Sequence, residues 1–261
     1  EFKMKVIEKY AKNIKGEKLC AHFFLPQNNE ETKTKFPLVI MLTGDGPSGS
    51  KSLSWTKIPP LLSEKGIASL TFDFSGLGDS EGSRKKLTLE KGIDDFKAVI
   101  KLIDEIDAVD TDRIGVFSSS FGSSVVIASR EFRNVKAQGF KSPCAFLPDA
   151  YLNEISEEAA TNWKTSGYCP ENGYNINVLY NPMKYNIYRE SSNISSSCLI
   201  THGLNDEIVP FRQSQLLQSQ LLTSSNDVEL VLIENCDHGY TQDGKWEYMA
   251  NLFVDFFVNK L

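Results

Sequence analysis

Hydrophobic positions along this chain fall into short, nearly continuous runs that alternate with longer stretches of helical period. Met4–Lys9 and Lys18–Leu25 read as a first pair of strands, followed by a polar loop over Gln27–Lys35. Phe36–Leu42, Ile67–Phe74, Arg113–Phe117 and Val135–Phe140 are compact apolar runs, and Ser197–Thr201 and Val228–Ile233 repeat the pattern late in the chain. Such runs suit strands covered on both faces. Between them the spacing predicts helices over Leu53–Lys65, Thr88–Ile106, Ser123–Phe132, Phe211–Leu222 and Trp246–Val258. The second opens on Thr88 as an N-cap before Leu89, Ile93, Phe96, Ile100 and Ile103. Strand–helix alternation of this kind predicts an α/β fold: a mostly parallel, eight-stranded sheet with helices on both faces.

One stretch breaks the rhythm. From Leu147 to Ser192 the chain is rich in aromatics, including Tyr151, Trp163, Tyr168, Tyr174, Tyr180, Tyr185 and Tyr188, but carries no strand pattern. So long an interruption predicts a small helical cap over residues 147–192, inserted after the sixth strand of a single domain spanning 1–261. A surface excursion packed on itself is the alternative.

Composition narrows the partners. The hydrophobic fraction of 41% is enough for a large core, and no apolar run approaches a membrane span. With a net charge of -6 and no basic stripe interleaved with aromatics, nucleic acid is not an expected partner. Five scattered cysteines (Cys20, Cys144, Cys169, Cys198 and Cys236) form no CxxC pair and read as free thiols of a reducing, cytoplasmic compartment. A Cys144–Cys169 disulfide stays open, and because the chain opens on Glu1, so does a removed leader. Neither HExxH nor a run of clustered His and Cys appears, so no metal and no cofactor are expected.

Chemistry concentrates at Gly115-Val116-Phe117-Ser118-Ser119-Ser120-Phe121-Gly122-Ser123, where a strand gives way to a helix. A nucleophile on so sharp a turn needs tiny residues two places before and after it. Of the three consecutive serines, Ser120 alone has them, in Ser118 and Gly122; the first position is more often Gly, so this is a variant elbow. Asp206 follows the strand at Ser197–Thr201, and His238 follows the strand at Val228–Ile233. Serine, acid and histidine in that order, each just beyond a strand, is the arrangement expected of an α/β-hydrolase. In that scheme His238 takes the Ser120 proton, and Asp206 holds the imidazole tautomer and stabilises the imidazolium. Glu207 and Asp237 are rival acids, the first pointing differently along the loop and the second suited to fixing it. His22 reads as a packed or edge histidine of an early strand, and His202 as pocket-lining or structural.

The turns Leu42-Thr43-Gly44-Asp45-Gly46, Phe72-Asp73-Phe74-Ser75-Gly76-Leu77-Gly78-Asp79-Ser80-Glu81-Gly82, Thr201-His202-Gly203 to Asp206, and Asp237-His238-Gly239 together resemble the motif series of the α/β-hydrolases. Within that superfamily the chain is most similar to cinnamoyl (feruloyl) esterases and dienelactone-hydrolase-like, serine aminopeptidase-like acyl hydrolases. The resemblance spans nearly the whole chain, weakest in the cap, and is specific for fold rather than substrate. It implies an oxyanion hole made by the backbone N–H groups of Phe121 and Asp45. Where relatives carry His-Gly and an apolar residue, this chain has Thr43-Gly44-Asp45. A carboxylate facing a developing oxyanion repels it, so Asp45 must point away, pair with a cation such as Lys51, or select a cationic substrate. A phosphate-cradling loop over Gly44–Ser50 is discounted, because its glycines do not follow P-loop spacing.

These residues lead to the expectation of a cofactor-free serine esterase that acts on a small-molecule ester through an acyl-enzyme. Thioester or small-peptide amide hydrolysis would use the same machinery. A catalytically silent ligand-binding protein of the same fold is the reading from another class. Sequence leaves the natural substrate and the oligomeric state open.

Overall fold

A computed structural model describes residues 4–27 and 34–261. Most of the loop expected over Gln27–Lys35 lies outside the described residues. In chain order the elements are β1 (Met4–Lys12), β2 (Lys18–Pro26), β3 (Phe36–Leu42), α1 (Leu53–Glu64), β4 (Ala68–Phe72), α2 (Leu89–Ile100), β5 (Val109–Ser119), α3 (Phe121–Ser129) and β6 (Ala137–Lys141). Four short helices follow: α4 (Leu147–Asn153), α5 (Glu157–Ser166), α6 (Ile176–Tyr180) and α7 (Ile187–Ser191). The chain then closes through β7 (Ser197–Gly203), α8 (Arg212–Leu221), β8 (Val228–Ile233) and α9 (Lys245–Lys260).

All eight strands form one sheet in the order β1-β2-β4-β3-β5-β6-β7-β8. The β1–β2 and β2–β4 pairs are antiparallel, and every pair from β4–β3 to β7–β8 is parallel. The molecule has the α/β-hydrolase fold. Strand alternation divides its core. Leu38, Ile40 and Leu42 of β3 pack with Ile93 and Phe96 of α2, Val125 of α3 and Leu217 of α8. Val39 and Met41 face the other way, toward Trp55 and Ile58 of α1 and Phe253 and Phe257 of α9.

Local chemistry sets the helix ends. The Thr88 hydroxyl accepts from Lys91 N at 3.1 Å, the cap expected at the start of α2. The periodic run to Ile106 is not one helix, however: after Ile100 it tightens into a 3-10 turn over Lys101–Glu105. The aromatics between β6 and β7 divide: Tyr168 and Tyr180 are exposed, while three others are core. Tyr151, Trp163 and Tyr174 are each at most 3% exposed and join the same cluster as α2 and α3. All five cysteines are buried and free, so the Cys144–Cys169 disulfide left open by the sequence is absent. Among the described residues, no helix is long and apolar enough to cross a membrane.

Candidate active site

Parallel strands carry their following loops to one end of the sheet, and the sequence-selected residues gather there. β5 ends at Ser119 and α3 begins at Phe121, leaving Ser120 alone at the joint with φ 46 and ψ -115. A serine with positive φ is strained, and such strain persists only where the surroundings enforce it. Here they do. A Cβ on Gly122 would lie 2.4 Å from Thr43 O and 2.8 Å from Leu42 O, so the first turn of α3 sits directly against the end of β3. Ser118, in the place more often held by glycine, is buried and its Oγ lies 3.0 Å from Ser123 Oγ.

The close approach makes a stability prediction. Gly122→Val should cost about 3 kcal/mol or more by overpacking against backbone that cannot yield. That corresponds to roughly a 10 °C fall in melting temperature, or to loss of soluble protein. Gly46→Ala, whose Cβ would meet nothing within 4 Å, is the matched control. Equal melting temperatures for the two variants would contradict this account of the elbow.

The acid and the base sit on loops tied to each other. Asn205 N donates to Cys236 O at 2.9 Å and Leu204 N to Ile233 O at 2.9 Å. A Cβ on Gly203 would fall 2.2 Å from Cys236 O, which leaves room only for glycine. His238 Nδ1 is thereby held 2.6 Å from Asp206 Oδ2. The other carboxylate oxygen accepts from Ile208 N at 3.0 Å and Val209 N at 2.8 Å. Burial alone would raise the Asp206 carboxyl, but hydrogen bonds from His202 and His238 outweigh it and hold the group well below the usual carboxylate range. Asp237 fixes its own loop by accepting from Thr241 N at 2.8 Å, and Glu207 is exposed.

Ser120 and His238 line one cavity of about 460 Å³, together with Asp45 and Phe121. Its walls come from the loop after β3, the start of α3, the end of β6 and α4, which supplies Leu147, Ala150 and Tyr151. Phe121 is the first residue of α3, where backbone N–H groups have no partner within the helix. Asp45 is half-buried. Burial pushes its carboxyl up, while Arg84, its own backbone N–H and His238 pull it back.

The cation beside Asp45 is not Lys51. Lys51 Nζ lies 2.6 Å from Asp79 Oδ1, drawn there by the glycine turn after β4. Arg84 takes that place instead, donating from Nε to Asp45 O at 2.6 Å and lying 5.1 Å from the centre of the Tyr174 ring. Nothing in its local sequence, Ser83-Arg84-Lys85, marks it as a cavity residue. The turn that delivers it is held by Asp73, which accepts from Ser50 N at 2.6 Å and from Asp79 N at 3.0 Å. Glu154 also lines the cavity; burial and the nearby Asp45 push its carboxyl up to about 6 against the pull of Arg84.

His202 is structural in a specific way. It is fully buried, with Nε2 3.0 Å from Asp206 Oδ2 and Nδ1 2.6 Å from Ser214 Oγ. The acid thus serves two histidines, which chain spacing alone does not reveal. His22 is not on an edge strand: β2 lies between β1 and β4, and the ring sits 3.3 Å from Glu8 on β1. Folding does bring the side chains of Glu8, Cys20 and His22 within 4.8 Å of one another, a grouping invisible as a linear motif; none of them lines the cavity.

Comparison with known proteins agrees with this architecture. The family model described as "Prolyl oligopeptidase family" matches residues 54–261. The quorum-quenching protein AidA of Acinetobacter baumannii is 28% identical over 151 residues, covering 58% of this chain and 47% of that protein. The chain thus spans less than half the length of that relative. Human "Palmitoyl-protein thioesterase ABHD10, mitochondrial" is 28% identical over 246 residues, covering 89% of this chain and 76% of that protein. Among solved structures, ferulic acid-bound Est1E from Butyrivibrio proteoclasticus superposes with a TM-score of 0.79 at 24% identity, covering 97% of this chain and 98% of that one.

Proposed function

This chain belongs to the prolyl oligopeptidase family of α/β-hydrolases, and from that premise we propose that it is a serine hydrolase cleaving carboxylic esters through an acyl-enzyme. Ser120 is the nucleophile, His238 the general base and Asp206 the residue that orients and stabilises the imidazole. The observation carrying the reading is the strained Ser120 in the same cavity as His238, whose Nδ1 is 2.6 Å from Asp206 Oδ2. With Nδ1 engaged by the carboxylate, Nε2 is the nitrogen left to accept the Ser120 proton.

In the first step Ser120 Oγ bonds to the ester carbonyl carbon as its proton passes to His238. The carbonyl oxygen takes up the negative charge and is received by the N–H groups of Phe121 and Asp45. Collapse expels the alcohol, which takes the proton from His238. Water then repeats the sequence on the acyl-enzyme and releases the acid. Because Asp45 itself carries a carboxyl, Arg84 beside it is what makes this loop tolerable to an oxyanion. Helices α4 to α7 act as a cap, with Leu147, Ala150 and Tyr151 forming the roof over the acyl or alcohol group.

Thioester cleavage is the second reading, supported by the 28% identity to a thioesterase across 89% of this chain. Matched ester, thioester and anilide substrates, run alongside labelling by a fluorophosphonate, separate these activities. Labelling with ester turnover exceeding both other classes is the expected result. A protein that neither labels nor turns over any of the three would overturn the hydrolase mechanism.

A further inference from the structure

β6 ends in a lysine. Lys141 pairs across the sheet with Ser119 of β5 and Thr201 of β7. Alternation places these three on the face covered by α1 and α9. Lys141 is only 7% exposed, and its Nζ lies 4.8 Å from the centre of the Tyr240 ring. Among the described residues, no carboxylate comes within 4.0 Å of that ammonium, and no side chain or carbonyl accepts a hydrogen bond from it. A buried cation without an anionic partner is costly, and an aromatic face offsets only part of that cost.

The lysine is also next to the chemistry. Ser120 N donates to Lys141 O at 3.2 Å, and Lys141 lines the same cavity as Ser120 and His238. Thr43, Ser119 and Trp55 line it too, on the same side of the sheet. Trp55 is 5% exposed, and its Nε1 finds no acceptor. The acidic groups of the cavity lie elsewhere: Asp45 and Glu154 act on each other and share Arg84. The cavity therefore holds a buried cation with no ion-paired or hydrogen-bonded acceptor among the described residues on the α1 and α9 side of the sheet, and elsewhere two carboxyl groups that share one arginine.

We propose that Lys141, with Ser119 and Trp55 beside it, forms an anion subsite, and that the preferred ester carries a carboxylate a short linker away from its scissile carbonyl. The substrate assignment rests on the serine hydrolase reading; the subsite itself does not. Burial pushes the Lys141 ammonium down to about 8, with Asp206 and Asp237 pulling it back up, so it remains mostly charged at neutral pH and a bound carboxylate would hold it so.

The test compares isosteric pairs. Monomethyl succinate carries the carboxylate on the acyl side and methyl 4-methylpentanoate is its neutral counterpart; acetoxyacetate carries it on the alcohol side and isobutyl acetate is its counterpart. At least one anionic ester should exceed its neutral partner in kcat/KM by about tenfold. Lys141→Met should abolish that ratio, and Lys141→Arg should retain part of it; the pair showing the ratio identifies which half of the substrate meets the lysine. Calorimetric titration of Ser120→Ala protein with monomethyl succinate should weaken by a similar factor on adding Lys141→Met. If no ester is turned over and no fluorophosphonate labels the protein, the hydrolase reading fails, and the calorimetric arm alone decides the subsite. Equal kcat/KM within both pairs in the unmutated protein, or an anionic preference or monomethyl succinate affinity that survives Lys141→Met, would overturn the proposal. Should Lys141→Met fail to fold, the unmutated ratios and Lys141→Arg decide between these outcomes.

Discussion

Ser120→Ala is expected to lower ester hydrolysis by about 10⁴-fold or more and to abolish fluorophosphonate labelling. Its melting temperature should stay where it was. The strain at φ 46 is a property of the backbone between β5 and α3, and alanine bears it as serine does. The Ser120 Oγ takes part in none of the hydrogen bonds that hold the elbow: Ser118 bonds to Ser123, while Ser120 contributes its main-chain N–H and carbonyl. Activity and stability should therefore separate cleanly at this position. Ser118→Ala supplies the comparison, since its buried hydroxyl bonds to Ser123 and does not line the cavity, so labelling should stay intact. A Ser120→Ala protein that still labels would move the nucleophile to another residue and sink the assignment.

Asp206→Asn should cost about 10⁴-fold in kcat with the fold retained. The reason lies in a mismatch of donors. Oδ1 accepts from two backbone N–H groups, and Oδ2 faces ring nitrogens of both His238 and His202. An asparagine must place its NH2 against one of these pairs. Turned toward the histidines, it forces His238 into the tautomer whose Nε2 carries a proton and cannot accept another from Ser120. Stability gives a second readout with a definite sign. The folded carboxyl sits below its unfolded value of about 3.9, so its contribution is fully present above that pH and is lost as pH falls further. The unmutated protein should thus lose melting temperature more steeply than Asp206→Asn as pH drops below about 4. Parallel acid slopes would mean that Asp206 is not held in the charged form.

Much of this arrangement could be read from the chain because it depends on short-range rules. The strands announced themselves as continuous apolar runs, and Val228–Ile233 matches the observed β8 residue for residue. Small residues flanking Ser120, and an acid and a histidine each one turn beyond a strand, are local signatures of a site built at strand ends. Boundaries suffered where the period outlasted the hydrogen-bonding pattern, as at Ile100, where apolar spacing continues but the helix tightens. The segment between β6 and β7 resisted reading for another reason. Its helices α6 and α7 are only 5 residues each, too short for a period to emerge, and they are held by caps such as Asn175 and Asn186 and by burial of Val178, Leu179 and Ile187.

Electrostatic partners were the least legible. Arg84 reaches Asp45 across 39 residues of sequence, and its placement depends on Asp73 pinning two loops together. Lys51, nearer to Asp45 in the chain, is claimed by Asp79. Lys141 looks in the sequence like the polar end of a strand, and only the register with Ser119 and Thr201 turns it inward. Charge pairing is decided by tertiary geometry, and single-sequence spacing carries little of it.

The order of the strands bears on how this protein can be divided. β3 lies between β4 and β5, yet it comes from residues upstream of 54, where the match to the family model begins. A fragment confined to residues 54–261 would lack the rib at the middle of its sheet, and with it the Asp45 loop and the backbone against which Gly122 packs. Sequence similarity and cooperative folding thus have different borders here. The first 53 residues and the remainder contribute strands to one sheet, each leaving open a seam that the other closes, so a chain cut near Ser52 is expected to yield two pieces that fold only together.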